Sequence, residues 1–373
     1  MSKLAQNPIF KFFSSLKLTV TCLGLLFILT WCGTIFQIDQ GLYLAQKQIF
    51  HSFWFLMFGF LPFPGAQLVL WIFFLNLVCV TLTRFIHYRF KKIGILIIHF
   101  GILTYFVGAF VTLTITKETF LQLLEGEGAN VSTFYNEWEL SIWQSTQSSK
   151  NVTAIDAYTF HPKTAYRIDE NFSIEVKSYY SNSKAFTITQ SPEHFDYVNA
   201  SGIQSLVKVA NIKEPEKNMP SGQFIIHPNG GQDIPVLLYG GEAKPTTLSI
   251  ANNSYNFQLR RKRHVLPFVV TLKNFTREMH PGTEIPRTFK SLITVTSDAG
   301  TREVLISMNK PFRYKDYTFY QASYSIDTLG REYSTLAVVK NAGRLLPYIS
   351  CFVTLAGLLV HFLGRILSLR KNK

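Results

Sequence analysis

The sequence predicts a membrane protein with four transmembrane α-helices and one extracytoplasmic all-β domain, either a sandwich or an open barrel. Four segments are apolar over about 20 residues, the length that a helix needs to cross a bilayer. Hydrophobic residues make up 47% of the 373 positions. The long segment 116–346 instead shows the two-residue alternation of apolar and polar side chains that is typical of strands.

The boundaries of the predicted elements follow from hydropathy and from helix-breaking residues. We predict a basic leader over 1–17, transmembrane helices over 18–36, 67–86, 93–115 and 347–365, a link over 87–92 and a tail over 366–373. The outer loop 37–66 is predicted to contain a short interfacial helix, because 50–61 is apolar but too short to span and Pro62 follows it. Within the β domain, the polar stretch 181–260 is predicted to be an irregular insertion.

The positive charge is concentrated beside the predicted helices. Eleven of the 37 basic residues lie in 1–17, 84–92 and 365–373, and no acidic residue lies there, so these segments account for most of the net charge of +14. The positive-inside rule then predicts cytoplasmic termini, a multi-pass protein of the cell membrane and a large domain on the periplasmic side. We therefore predict a lipid bilayer as the environment and no nucleic acid as a partner.

The cysteines and the catalytic motifs exclude several functions. All four cysteines lie in predicted spans, so the outer domain has no disulfide framework. The sequence contains no Cys-x-x-Cys-His haem-attachment motif and no Cys-x-x-Cys pair. No hydrolase, metalloprotease or phosphate-binding motif occurs either. No catalytic residue is therefore assigned, and the sequence leaves enzymatic activity open.

His99 is the ionisable residue that interrupts the third predicted span. Gly94, Gly101 and Gly108 fall on one narrow seam of that helix, and small residues let membrane helices approach closely. His99 points nearly opposite, between side chains such as Leu96. An imidazole in an apolar wall suits an axial ligand to haem iron. The alternative is a histidine that is hydrogen-bonded to a neighbouring helix.

Three other groups are weaker candidates for a site. His361, in the fourth span, lies at a depth similar to that of His99, so the two could form a bis-histidine site; we favour the alternative, in which His361 lies apart, beside Arg365. The cationic run 260–264 is either a solvated face or a docking patch for an acidic partner or for haem propionates. His51 is either an outer-face ligand or an interfacial histidine, and we favour the second.

Several separated motifs resemble the ResB (CcsB) family of system II cytochrome c biogenesis proteins. The most specific is 309–324, which begins Asn-Lys-Pro and ends Tyr-Gln-Ala-Ser-Tyr. The other similar stretches are 15–18, 33–37, 75–84, 94–101 and 343–348. The middle of the chain, about 180–260, carries little of this resemblance.

The resemblance implies that the protein delivers haem b across the membrane for covalent attachment to apocytochrome c. It also implies a ResC (CcsA)-like membrane partner, which holds the tryptophan-rich haem-handling segment that this chain lacks. The transmembrane haem-ligand histidine of the family maps onto His99, and the other axial ligand would come from the partner. The alternative function is a cofactor-free membrane scaffold or chaperone for exported polypeptides or for partner membrane proteins.

Overall fold

The computed structural model describes residues 7–57, 59–86, 93–144, 151–187, 197–283 and 286–371. The chain divides into a helical unit, formed by residues up to 117 and from 340 onward, and a β unit of residues 118–339. The predicted link 87–92 lies outside the described residues. Both the membrane helices and the β domain of the predicted fold class are confirmed.

Four helices within the described ranges are long and apolar enough to cross a membrane. These are the first span, Leu16–Gln40, the second span, Ala66–Ile86, the third span, Ile93–Ile115, and the fourth span, Leu346–Lys371. They contain all four predicted segments. The first and fourth spans are longer than predicted, and the fourth continues through most of the predicted tail.

The first span follows a break between two helices, and hydrogen bonds from the second span hold this break in place. A short helix, Pro8–Phe13, precedes the break, and Ser15 caps the N-terminus of the span. Asn76, fully buried half-way along the second span, donates from Nδ2 to the carbonyl oxygens of Phe13 at 2.6 Å and Ser15 at 3.1 Å. Its Oδ1 accepts a hydrogen bond from Thr19 at 2.7 Å. Asn76 therefore joins the second span to the start of the first through three hydrogen bonds.

The loop between the first two spans contains a β-hairpin where a helix was predicted. In the described part of this loop, helical structure is confined to Leu42–Ala45 and a π-helical turn, Gln46–Phe50. The strands β1, Trp54–Met57, and β2, Leu61–Pro64, then pair antiparallel. The interfacial helix predicted within 50–61 is wrong. Prolines in β2 do not suit a helix interior, and Gly59 adopts a positive φ of 81° in the turn.

The third and fourth spans pack along the predicted glycine seam. Gly94, Gly101 and Gly108 are the buried residues of the third span. A Cβ atom on Gly94 would lie 2.5 Å from the backbone nitrogen of His361, and one on Gly101 would lie 2.9 Å from that of Thr354. The backbones are therefore too close for any side chain larger than hydrogen. The helix-packing role predicted for this seam is confirmed.

The β unit is built from antiparallel strands that form one large sheet and smaller sheets. The ten-stranded sheet runs β15-β14-β13-β4-β3-β18-β17-β16, with β5 paired to β4 and β12 to β13. A four-stranded sheet has the order β11-β10-β7-β6, and β8 pairs with β9. The strands are β3 Lys117–Leu124, β4 Gly128–Gln144, β5 Val152–Asp156, β6 Ala165–Arg167, β7 Phe172–Tyr180, β8 Ser183–Phe186, β9 Ser205–Lys208, β10 Ser221–Pro228, β11 Ile234–Tyr239, β12 Thr246–Ile250, β13 Asn253–Met279, β14 Pro286–Ser297, β15 Gly300–Ser307, β16 Phe312–Tyr314, β17 Tyr317–Ile326 and β18 Glu332–Lys340.

Two hydrophobic cores share the long strand β13. Its first part contributes Phe257 to a core with β7, β10 and β11, and its second part contributes Leu272 to a core with β14 and β17. The described part of 181–260 is therefore not irregular, because β10 and β11 supply fully buried residues such as Phe224. The prediction fails because β10 is half polar in sequence and joins its sheet by pairing with the distant β7.

We predict that Gly101→Ala destabilises the helical unit by about 1–3 kcal/mol, the usual cost of overpacking. The added methyl group would collide with the backbone of Thr354. The measurement is thermal unfolding of the detergent-solubilised full chain. Gly24→Ala is the matched control, because nothing lies within 4 Å of a Cβ there. It should be neutral or stabilising, since glycine weakens a helix interior. Equal effects of the two substitutions would contradict the close packing at the seam.

Candidate functional site at the second and third spans

The face of the third span opposite the glycine seam packs against the second span through aromatic rings. Phe110 contacts Trp71 edge to face at 5.5 Å between ring centroids. Phe106 contacts Phe73 at 5.6 Å and Phe74 at 5.9 Å. These contacts cover the half of this face that lies toward the C-terminal end of the third span. His99 lies nearer the start of the span, away from these aromatic contacts.

His99 contacts the second span through Thr81. The Nδ1 atom of the half-buried imidazole lies 3.4 Å from Oγ1 of Thr81, which is long for a hydrogen bond. The Thr81 hydroxyl also lies 2.7 Å from the carbonyl oxygen of Leu77, one turn earlier in the same helix. A contact with the neighbouring helix is thus present, as the alternative interpretation of His99 expects. The contact involves Nδ1, and a metal-binding imidazole commonly makes a hydrogen bond through the ring nitrogen that does not bind the metal.

An open apolar groove of about 480 Å³ lies beside this contact. Its lining residues are Thr81, Leu82, Phe85, Leu96, Ile97 and Phe100. His99 is not itself a lining residue, but it is adjacent to Phe100 in sequence and contacts Thr81. The volume lies within the usual range of small-molecule sites, and the apolar walls suit a flat, largely hydrophobic macrocycle such as haem. The groove residues could therefore cover an apolar face of the macrocycle, whereas the predicted iron ligand, His99, lies beside the groove and not in its lining.

The structure does not bring His361 and His99 together. His361 lies against Gly94, so it faces the glycine seam. His99 is five residues after Gly94 and is therefore rotated by about 140° around the helix axis. The two histidines thus lie on different sides of the third span. His51 is exposed directly after the π-helical turn and belongs to neither face.

The cationic run 260–264 lies where β13 passes from one core to the other. The pairing of β13 with β4 shifts in register between Arg261 and Arg263. Arg260 pairs with Glu139 at 2.9 Å, with only 14% and 5% of the two side chains exposed. The guanidinium group of Arg261 lies over the ring of Trp138 at 4.8 Å. These cations therefore hold the strand junction together.

Lys262 and His264 in the same run also have partners within the β unit. Lys262 contacts Asp156 at 2.9 Å and Glu137 at 3.3 Å. Burial lowers the pKa of Lys262, but the hydrogen bonds to Asp156 and Glu137 outweigh it, so the pKa is raised above its ordinary value. Nε2 of His264 lies 3.2 Å from the hydroxyl group of Tyr317. The structure thus favours neither a freely solvated face nor a docking patch at these positions.

Thr81 is the polar residue at this site that no sequence pattern marked as a candidate. A hydroxyl in an apolar helix attracts little notice, because it can bond to its own backbone. The position of Thr81 along its span could have marked it as a neighbour of His99. Thr81 lies five residues before the end of the second span, and His99 lies six residues after the start of the third. In a tight antiparallel hairpin these positions are neighbours.

We predict that Glu139→Gln destabilises the protein by about 3–5 kcal/mol, because it leaves the buried charge of Arg260 without its counterion. The measurement is denaturant unfolding of the full chain. The matched control is Glu303→Gln, which removes the exposed partner of Lys273 and should cost no more than about 1 kcal/mol. A neutral effect of Glu139→Gln would contradict the structural role of the run.

Comparison with known families gives one match. A family model described as the ResB-like family matches residues 233–332, from the start of β11 to the start of β18. The match includes part of the stretch that was predicted to be an insertion, and it does not include His99. A search of the curated proteins finds no match to this sequence. Over these 100 of the 373 residues, the chain is therefore similar to the ResB-like family.

Proposed function

We propose that this ResB-like protein carries haem b across the membrane and helps to present it for covalent attachment to apocytochrome c. The single observation that carries the proposal is the position of His99, an imidazole beside an apolar groove between two membrane-length helices. Iron is held in many haem proteins by one axial histidine. His99 would hold the iron, and the groove side chains would cover part of the macrocycle.

The depth of His99 supports a role near the entry of haem. It lies six residues after the start of the third span, which is about 9 Å along a helix. The basic residues around 84–92 favour a cytoplasmic location for that end of the helix. Haem made in the cytoplasm would therefore meet His99 early in its passage. With this orientation the β unit lies on the periplasmic side, where haem is attached to apocytochrome.

The second axial ligand is proposed to come from a ResC (CcsA)-like membrane partner. His361 faces the glycine seam, on a different side of the third span from His99, so it is poorly placed for the same iron. The groove is open to the surroundings of the helix pair, so a partner helix could complete it. The proposed arrangement is a shared site, in which this chain provides one ligand and one wall.

One observation also favours the alternative function, a cofactor-free scaffold or chaperone. The contact between His99 and Thr81 links two spans, and such a link stabilises a helix pair without any ligand. In that case the histidine would be structural, and the β unit would bind polypeptides or partner proteins. The presence or absence of haem separates the two functions.

We predict that the protein purified with its membrane partner absorbs in the Soret region, and that His99→Ala abolishes most of this absorption. The imidazole is lost, whereas the groove walls remain. The measurement is the visible spectrum per mole of intact complex, with complex formation checked by co-purification.

The control variant is His361→Ala, which removes the imidazole on the other side of the third span. It should keep the Soret band, because His361 is not expected to contact the iron. A complex that is colourless before any substitution would favour the scaffold. Equal haem content in wild type and His99→Ala would exclude His99 as the ligand.

A further inference from the structure

We propose that the hairpin β1–β2 is a membrane anchor, which lies in the headgroup region of the bilayer where the first span ends and the second begins. The surface that contacts lipid is the face formed by Trp54, Leu56 and Pro62, which we call the hairpin face. The proposal concerns the helical unit alone and does not depend on haem. It follows from the exposed side chains of the hairpin, from the absence of charge around it and from the backbone of β2.

The two faces of the hairpin have different surroundings. Phe55 and Phe63 are cross-strand partners, and their rings meet edge to face at 5.9 Å between centroids. Both pack against the hydrophobic core that the first and second spans share. Because successive side chains of a strand point to opposite faces, Trp54 and Leu56 point away from this core, and Pro62 is the partner of Leu56. Trp54 is 62% exposed and Leu56 is 61% exposed.

The apolar surface continues over the tip of the hairpin and is joined to the second span. Phe60, in the turn, is 76% exposed, and Leu61 is 45% exposed. The backbone N–H group of Gly65 donates to the carbonyl oxygen of Phe53 at 2.8 Å, and the second span begins at the next residue, Ala66. The exposed apolar side chains therefore lie next to the start of a membrane-length helix, where lipid is the nearest apolar cover.

Charged residues are absent from this part of the sequence. No Asp, Glu, Lys or Arg occurs between Lys47 and Arg84, although 16% of the whole chain is charged. The second span accounts only for the part that starts at Ala66, so 48–65 lacks charge without belonging to a span. A docking surface for a charged partner would carry charge of the opposite sign. The composition thus favours lipid, and tryptophan next to a membrane helix is typical of the headgroup region.

The backbone of β2 favours lipid over an added strand. Alternate residues in an antiparallel pair turn their N–H and C=O groups toward the partner strand, and the residues between them turn these groups away. The bond from Gly65 to Phe53 shows that odd-numbered positions of this segment face β1. Pro62 and Pro64 therefore occupy the positions that face away, and proline has no N–H group. This edge cannot donate to an added strand, and it has no N–H group that would lose water in a membrane.

The other edge of the hairpin indicates its depth. By the same alternation, the N–H groups of Trp54 and Leu56 point away from β2. The hydrocarbon region offers such groups no partner, whereas lipid headgroups and interfacial water do. The hairpin therefore belongs at the level of the headgroups, with the hairpin face turned toward the acyl chains. In this position it would fix the adjoining ends of the first and second spans at the membrane surface.

The experiment measures the depth of Trp54 by fluorescence quenching, with the full chain alone in lipid nanodiscs. The difference between the wild type and Trp54→Phe isolates the emission of Trp54. We expect strong quenching by lipids that are brominated near the headgroup end of the acyl chain, and weaker quenching by lipids brominated near the chain terminus. Iodide in the aqueous phase should have little effect.

Two further variants in the Trp54→Phe background make the test independent of one side chain. Leu56→Trp places the probe at a second position of the hairpin face and should give the same pattern. Leu305→Trp is the matched control, because Leu305 is 55% exposed but lies on β15 of the β unit. That probe should be quenched by iodide and not by brominated lipid.

Three results would overturn the proposal. Iodide quenching at position 54 as strong as that at position 305 would show that the hairpin face lies in water. Protection of positions 54 and 56 from both quenchers would show that protein, such as a second copy of this chain, covers the face. Strongest quenching by lipids brominated near the chain terminus would place the hairpin in the hydrocarbon region and contradict the proposed depth.

Discussion

The helical unit depends on one constraint: a polar group inside the hydrocarbon region of a membrane needs a partner within the protein. Asn76 finds its partners at the start of the first span. Thr81 and His99 meet between the second and third spans. The hydroxyl of Ser350 in the fourth span donates to the carbonyl oxygen of Gly101 in the third at 2.8 Å. These bonds join the spans in chain order, first to second, second to third and third to fourth.

The same constraint explains why the third span has two unlike faces. One face has only hydrogen at Gly94, Gly101 and Gly108, so the fourth span approaches closely and leaves no space for a ligand. The other face carries large aromatic rings that meet the second span at one end, and an imidazole beside a groove at the other. Tight packing of the fourth span on the glycine seam holds the third span in place, and with it the opposite face that carries His99. A metal-binding imidazole benefits from such a support, because its direction is then set before the metal binds.

Much of the helical unit could be predicted from the sequence, since span length and small-residue spacing are local properties. The glycine seam follows from the pattern of a single helix. The hairpin β1–β2 was missed because a short apolar run suits either a helix or a strand. The strands β10 and β11 were missed because their sheet is completed by the distant strand β7, which pairs with β10. The ion pairs of the run 260–264 were missed for the same reason, as Glu139 and Asp156 lie on other strands. At the candidate site, the sequence marks His99, but its contact with Thr81 depends on how the second span packs against the third.

The most direct test of this account is an experimental structure of the haem-loaded complex with its membrane partner. The account predicts a bond between the haem iron and the imidazole of His99, with the macrocycle against Leu96 and Phe100. Haem bound elsewhere in the complex, with His99 bonded only to the second span, would contradict it.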